Sequence, residues 1–170
     1  MNLKDTEIEI IKKHSGSLPV SIVDIARELG VKVYNADFNN NDEKNTSGVL
    51  KKERDGAYSI YVNRNEHPNR KTFTIAHELA HFLLHKDQID NIHKDYSLLF
   101  RMTPTVSIDA TKRKMEQDAN ELAANILMPE EKFFQVWQES DSIKKVANTF
   151  GVSEIATTIR AQRLGIPIAV

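Results

Sequence analysis

Apolar positions follow two periods along this chain. At helical spacing, Leu3, Ile8 and Ile11 stand among charges and predict a surface helix over 3–14, ending near Ser15-Gly16. In LPVSIVDIARELGVKVY, a second helix is capped by Ser21, shows Ile22, Ile25, Ala26 and Leu29 on one face, and closes at Gly30. Val31, Val33 and Tyr34 then read as a strand, and NADFNNNDEKNTS as a mobile polar loop. Two further strands, Gly48–Lys52 and Tyr58–Val62, flank ERDG and predict a hairpin, with Tyr58, Ile60 and Val62 alternating against Ala57, Ser59 and Tyr61.

Beyond the hairpin the period returns to that of a helix. Pro68 suits a first helical position and opens a helix that runs past His85. Residues 87–110 show little periodicity and read as a long connection. A second strong helix covers about Thr111 to Met128 and stops at Pro129, with Met115, Ala119, Leu122 and Ile126 as its stripe and Ala123 and Leu127 widening it. Short helices are expected over 130–138, 142–150 and 153–164. No repeat or low-complexity tract interrupts this order.

Composition narrows the chemistry. With 170 residues, 40% hydrophobic and 28% charged, the chain has the make-up of an ordinary globular domain with a real core. Its formal charge of -1 gives no global attraction to nucleic acid or anionic membrane. It has no cysteine, which excludes disulfides, thiolate metal sites and a cysteine nucleophile, so a metal would need His, Asp or Glu. MNLKDTEIEIIKKHSG lacks the apolar core of a signal peptide, and no apolar run approaches the roughly 18 residues of a membrane span. A cytoplasmic location is expected.

Three of the six histidines fall in TIAHELAHFLLH. His77, Glu78 and His81 form H-E-x-x-H. Residues four apart on a helix lie about 40° apart around the axis and one turn along it, so His77 and His81 can grip one zinc ion. Glu78, about 100° round from His77, reaches a metal-activated water instead. The plain alternative is the wet face of an amphipathic helix. Against it, Thr74, His77, Glu78, His81 and His85 share an arc of about 100°, and Phe, Ile, Ala and Leu fill the rest. A helix so apolar is buried, and a buried Glu78 needs a compensating charge.

A catalytic zinc usually takes three protein ligands. On the second strong helix Glu116 lies inside the apolar arc, Asp118 at its edge and Glu121 on the far side. Ala119 and Ala123 share the side of Glu116 and would allow close approach of the first helix. The alternative is that Glu116 pairs with Lys112 or Arg113.

TFTIAHELAHFLLH followed by EQDANELAANILMP resembles the ImmA/IrrE family of zinc-dependent proteins, over about residues 18–130 and more loosely beyond. HExxH alone is moderately specific, but the two motifs in this order, ending in Met-Pro, are highly so. Ala80 stands where the family usually has Gly, and Leu122 where it usually has Phe; both leave the ligand positions intact. The resemblance implies a small α+β, gluzincin-like metallopeptidase domain with a short antiparallel β-sheet packed on helices, here 1–128. A C-terminal helical segment, 129–170, would pack on it. It also implies Zn2+ held by His77, His81 and Glu116, Glu78 as catalytic base, and a helix-turn-helix repressor of phage, mobile-element or stress genes as substrate.

An oxyanion-stabilising donor is sought among His85, His93, Tyr96 and Arg101. His85 continues the i, i+4 series one turn too far to join the same tetrahedral site, and reads better as a partner to a ligand or as a structural histidine. His67, beside Pro68, reads as a turn residue.

Two other functions compete. SIKKVANTFGVSEIATTIRAQRLG resembles a helix-turn-helix, with Ile143, Val146, Ala147 and Phe150 on one face, Gly151 at the turn and Ser153 as the next cap. Lys144, Lys145, Arg160 and Arg163 are offset by Asp141 and Glu154, so the region is only mildly basic and docking of a substrate or partner is favoured over DNA. The third reading is a zinc-stabilised module that binds a regulator or antitoxin-like partner without cutting it; Glu78, which a structural site would not need, argues for catalysis.

Overall fold

The computed structural model describes residues 3–38, 46–91, 110–140 and 142–168. Within them, helices α1 (Asp5–His14) and α2 (Ile22–Glu28) lead into strand β1 (Val31–Ala36). The hairpin strands β2 (Gly48–Lys52) and β3 (Tyr58–Asn63) follow, then the long helices α3 (Pro68–Asn91) and α4 (Ala110–Leu127). Three short helices, α5 (Glu130–Gln138), α6 (Ile143–Phe150) and α7 (Glu154–Arg163), complete an α+β fold.

The strand order is β1-β3-β2. β2 pairs antiparallel with β3, Leu50 opposite Ile60, as the hairpin pattern predicts. β1 pairs parallel with β3, Val33 opposite Ile60, so the sheet is mixed where an antiparallel one was expected. The cause is placement: β3 inserts between its hairpin partner and β1, and thereby runs in the direction of β1. The hairpin turn is closed by Gly56 N–H donating to Glu53 O at 3.0 Å, with Gly56 at φ 85°.

Ile60, Val62 and Leu50 turn inward toward α3, whose Ile75, Ala76, Leu79, Ala80 and Leu83 are buried in return. From the other side α4 supplies Ala119, Leu122, Ala123, Ile126 and Leu127. The helix begins at His67, whose Nδ1 accepts the Asn69 N–H at 3.2 Å, an N-cap role consistent with the expected turn. At its far end α3 continues to Asn91, so residues 87–91 are helix and not the start of the connection. Lys86-Asp87-Gln88 contain no Gly or Pro to stop it.

The C-terminal helices share this core: Phe133, Val146, Phe150, Val152 and Ala161 belong to the same buried cluster as Ile25, Ile60 and Leu79. Phe133 stacks on Phe150 at 5.6 Å between ring centroids. Ser142 and Ser153 cap α6 and α7 by accepting the N–H groups of Lys145 and Ala156, and Gly151 ends α6 at φ 64°. Ser21 occupies the N-cap of α2 but donates its hydroxyl to Asp24 Oδ2 at 2.6 Å in place of the expected backbone bond. Among the described residues no helix is long and apolar enough to cross a membrane.

Candidate metal centre

Because α3 is apolar around most of its circumference, it is enclosed by the sheet on one side and α4 on another. Its polar arc is therefore buried too: Thr74, Glu78, His81 and His85 are all inside, and His77 is half-buried. Alanines on both helices, Ala76 and Ala80 on α3 with Ala119 and Ala123 on α4, are fully buried and keep the two backbones near one another. The carboxylate of Glu116 then reaches the imidazoles.

The donor atoms converge. Nε2 of His77 and Nε2 of His81 are 3.0 Å apart. Glu116 Oε2 lies 3.3 Å from the first and Oε1 3.2 Å from the second. A tetrahedral zinc with ligands at about 2.1 Å has ligand-to-ligand edges of about 3.4 Å, so these separations fit a shared cation with small adjustment. His77, His81 and Glu116 could hold a metal ion, and two imidazoles with one carboxylate are the donor types a borderline cation takes.

Two ring nitrogens facing each other at 3.0 Å repel unless a proton or a metal lies between them. Burial pulls His77 down, but the hydrogen bond to Glu116 and the nearby Glu78 charge prevail and hold it above the usual histidine range. Burial lowers His81 to about 4, against Glu116, which leaves it neutral. Burial pushes Glu116 up, yet its bonds with His77 and His81 win and hold it at about 2.

Glu78 is the anomaly beside it. It is 4% exposed, and its Oε2 has no hydrogen-bond partner among the described residues. Burial raises its carboxyl to about 7, against the His77 charge and a hydrogen bond from the Leu50 backbone that lower it. That bond ties Glu78 to β2. Gly48 on the same strand makes the approach possible, since a Cβ there would overlap Thr74 Cγ2 and sit 3.5 Å from Glu78 Cγ.

Glu116 faces the histidines and not Lys112 or Arg113, although it is partly exposed, its side chain at 22%, where full burial was expected. Asp118 pairs with Lys114 at 2.8 Å, away from the cluster. His85 stands beside His81, Nδ1 to Nδ1 at 3.0 Å, and outside the three-donor cluster. His93, Tyr96 and Arg101 lie outside the described residues. Asn120 was missed on the sequence: its Oδ1 is 3.0 Å from His77 Nδ1. The available signal was its spacing, four residues after Glu116 on the same helix face.

Arg160 was counted on the sequence as a cation available to DNA. It is 5% exposed, and donates from Nε to Met128 O at 3.1 Å and from Nη1 to Asn125 Oδ1 at 2.7 Å. The exposed positions of α7 include Ile155 and Ile159, 74% and 47% exposed, together with Arg163.

A helix pair carrying a His-His-Glu cluster, backed by a small sheet, makes a candidate metal-binding domain. Residues 26–162 match the IrrE N-terminal-like domain of the Peptidase M78 family, and the chain belongs to that ImmA/IrrE family. Among solved structures, a Mycobacterium tuberculosis transcriptional regulator is similar in fold, with a TM-score of 0.58 and 17% identity over 96% of this chain and 48% of that one. The chain therefore spans about half the length of that protein. No curated protein gives a significant match.

Proposed function

We propose that this chain is a zinc-dependent endopeptidase acting on a protein regulator, a helix-turn-helix repressor of phage, mobile-element or stress genes. Its family membership supports the reaction class. The observation that carries the reading is the pairing of a three-donor cluster with an adjacent buried carboxylate, one oxygen of which has no partner among the described residues. A structural metal site has no use for such an oxygen.

In this reading His77, His81 and Glu116 hold the metal. A cation bound there supplies Lewis acidity toward water and the scissile carbonyl. Glu78 takes the proton of the attacking water and returns it to the leaving amine. Burial and a raised pKa suit a carboxylate to that exchange near neutral pH. β2 is an edge strand next to Glu78, and its outer backbone groups offer an extended peptide a place to pair. A structure with bound peptide tests that last point, and a peptide lying elsewhere refutes it.

Elemental analysis is the first test of the whole. Purified protein is expected to carry about one zinc per chain, sharply reduced in Glu116→Ala. Glu78→Gln is expected to retain the zinc and lose cleavage of a candidate repressor by about 10²- to 10⁴-fold. Little metal after zinc addition would sink the enzyme. Zinc with repressor binding but no cleavage would replace it by the binding module.

A further inference from the structure

Each imidazole of the cluster has a second nitrogen, and the structure gives both a protein partner. His77 Nδ1 lies 3.0 Å from Asn120 Oδ1. A side-chain carbonyl oxygen only accepts, so His77 Nδ1 carries a hydrogen and donates it. His81 Nδ1 lies 3.0 Å from His85 Nδ1. One of these two nitrogens donates and the other accepts. His81 turns Nε2 toward His77 and Glu116, at 3.0 and 3.2 Å, so a cation held there takes the Nε2 lone pair and leaves the hydrogen on Nδ1. His85 then accepts it through Nδ1 and carries its own hydrogen on Nε2.

The two acceptors come from different elements. His85 is buried one turn further along α3, and Asn120 is one turn beyond Glu116 on α4. Each ring is therefore fixed against rotation by a side chain outside the donor cluster. Both acceptors are uncharged, an imidazole and an amide.

We infer that His85 and Asn120 are positioning residues of the metal centre, which select the Nδ1–H tautomers of His81 and His77 and aim both Nε2 lone pairs at one point. The inference rests on the proposed metal centre. It gives the third histidine of the ladder a role in place of the oxyanion contact considered on the sequence. A ligand already held in one tautomer and one rotamer has less ordering to undergo when a cation arrives.

Asparagine places Oδ1 where histidine places Nδ1, and leucine has the same branched shape with no acceptor. The test compares His85→Leu with His85→Asn, and Asn120→Leu with Asn120→Asp, by zinc competition against a chromogenic chelator. Both leucine variants are expected to bind zinc about 10- to 100-fold more weakly, with His85→Asn and Asn120→Asp recovering most of the loss. Proton–nitrogen spectra of zinc-loaded protein are expected to show a hydrogen-bonded His81 Nδ1–H in wild type and His85→Asn, and the loss of that hydrogen bond in His85→Leu. Equal zinc affinity in the leucine variant and its acceptor-bearing counterpart, whether unchanged or equally weakened, overturns the inference. A wild type that takes up no zinc sinks the proposed metal centre and the inference with it, whereas equal affinities in zinc-binding protein sink the inference alone.

Discussion

The α3–α4 pair and the α6–α7 hairpin both bury charged side chains, and they treat them in opposite ways. In the hairpin Arg160 is spent on two acceptors, Met128 O and Asn125 Oδ1, and the serine caps satisfy the helix starts. In the helix pair one oxygen of Glu78 has no partner among the described residues, and two ring nitrogens oppose each other at 3.0 Å. A satisfied buried polar group docks one element on another. An unsatisfied one is retained at a cost in stability, and a ligand or a reaction is the usual compensation. The difference marks the hairpin as a satisfied packing unit and the helix pair as the candidate site.

Glu78 gives the largest test of that contrast. Its carboxyl titrates near 4.5 when unfolded and at about 7 in the fold. Below the first value both states hold the proton, so nothing is lost. As pH rises the unfolded chain releases its proton first, and stability falls until the folded group ionises as well, by about 3 kcal/mol at pH 8. Glu78→Gln remains neutral. In chelated protein it is expected to exceed wild type by about that amount in denaturant melts near pH 8, and to match it near pH 4. A difference independent of pH would show that Glu78 is as well satisfied as Arg160.

The parts of the site legible in the sequence are those encoded by local period. His77, Glu78 and His81 lie on one helix, and their burial followed from the Phe, Ile, Ala and Leu that surround them. Glu116 was legible because its helix also has a clear stripe. The parallel pairing of β1 was not, since strand order depends on how separate segments meet and no residue in β1 records it. Asn120 escaped for a related reason: a polar residue beside an apolar stripe looks like any other until the facing helix puts His77 against it. Arg160 misled because an arginine at the edge of a mildly basic hairpin has the same sequence signature whether it faces solvent or a carbonyl.

Arg160 itself supplies the second test. Arg160→Leu keeps apolar bulk but leaves Met128 O and Asn125 Oδ1 without their donor. A buried and a half-buried acceptor left unmatched predict a loss of about 2–4 kcal/mol, read as a shifted denaturation midpoint with unchanged slope. Zinc bound per folded chain should not move, because Arg160 touches none of the donor residues. A parallel loss of zinc well below the melting temperature would mean that the end of α4 transmits strain to Glu116, and that the two regions are one functional unit.

Ser153 gives the finest test. Its Oγ accepts the Ala156 N–H at 3.1 Å at the start of α7, and the helix packs through Thr157, Arg160 and Ala161 below that cap. Ser153→Ala removes one first-turn acceptor at an exposed position, where water partly replaces it, so the expected cost is about 1 kcal/mol. The interior contacts of α7 remain, and Asn69 Nδ2 still donates to Val152 O at 2.9 Å, which ties the hairpin turn to the start of α3. The melting temperature should fall by a few degrees while zinc affinity and any peptide hydrolysis stay at wild-type values. A drop in hydrolysis at constant zinc content would show that α7 contacts the substrate protein, and the exposed Ile155 and Ile159 beside the cap would be the first residues to change next.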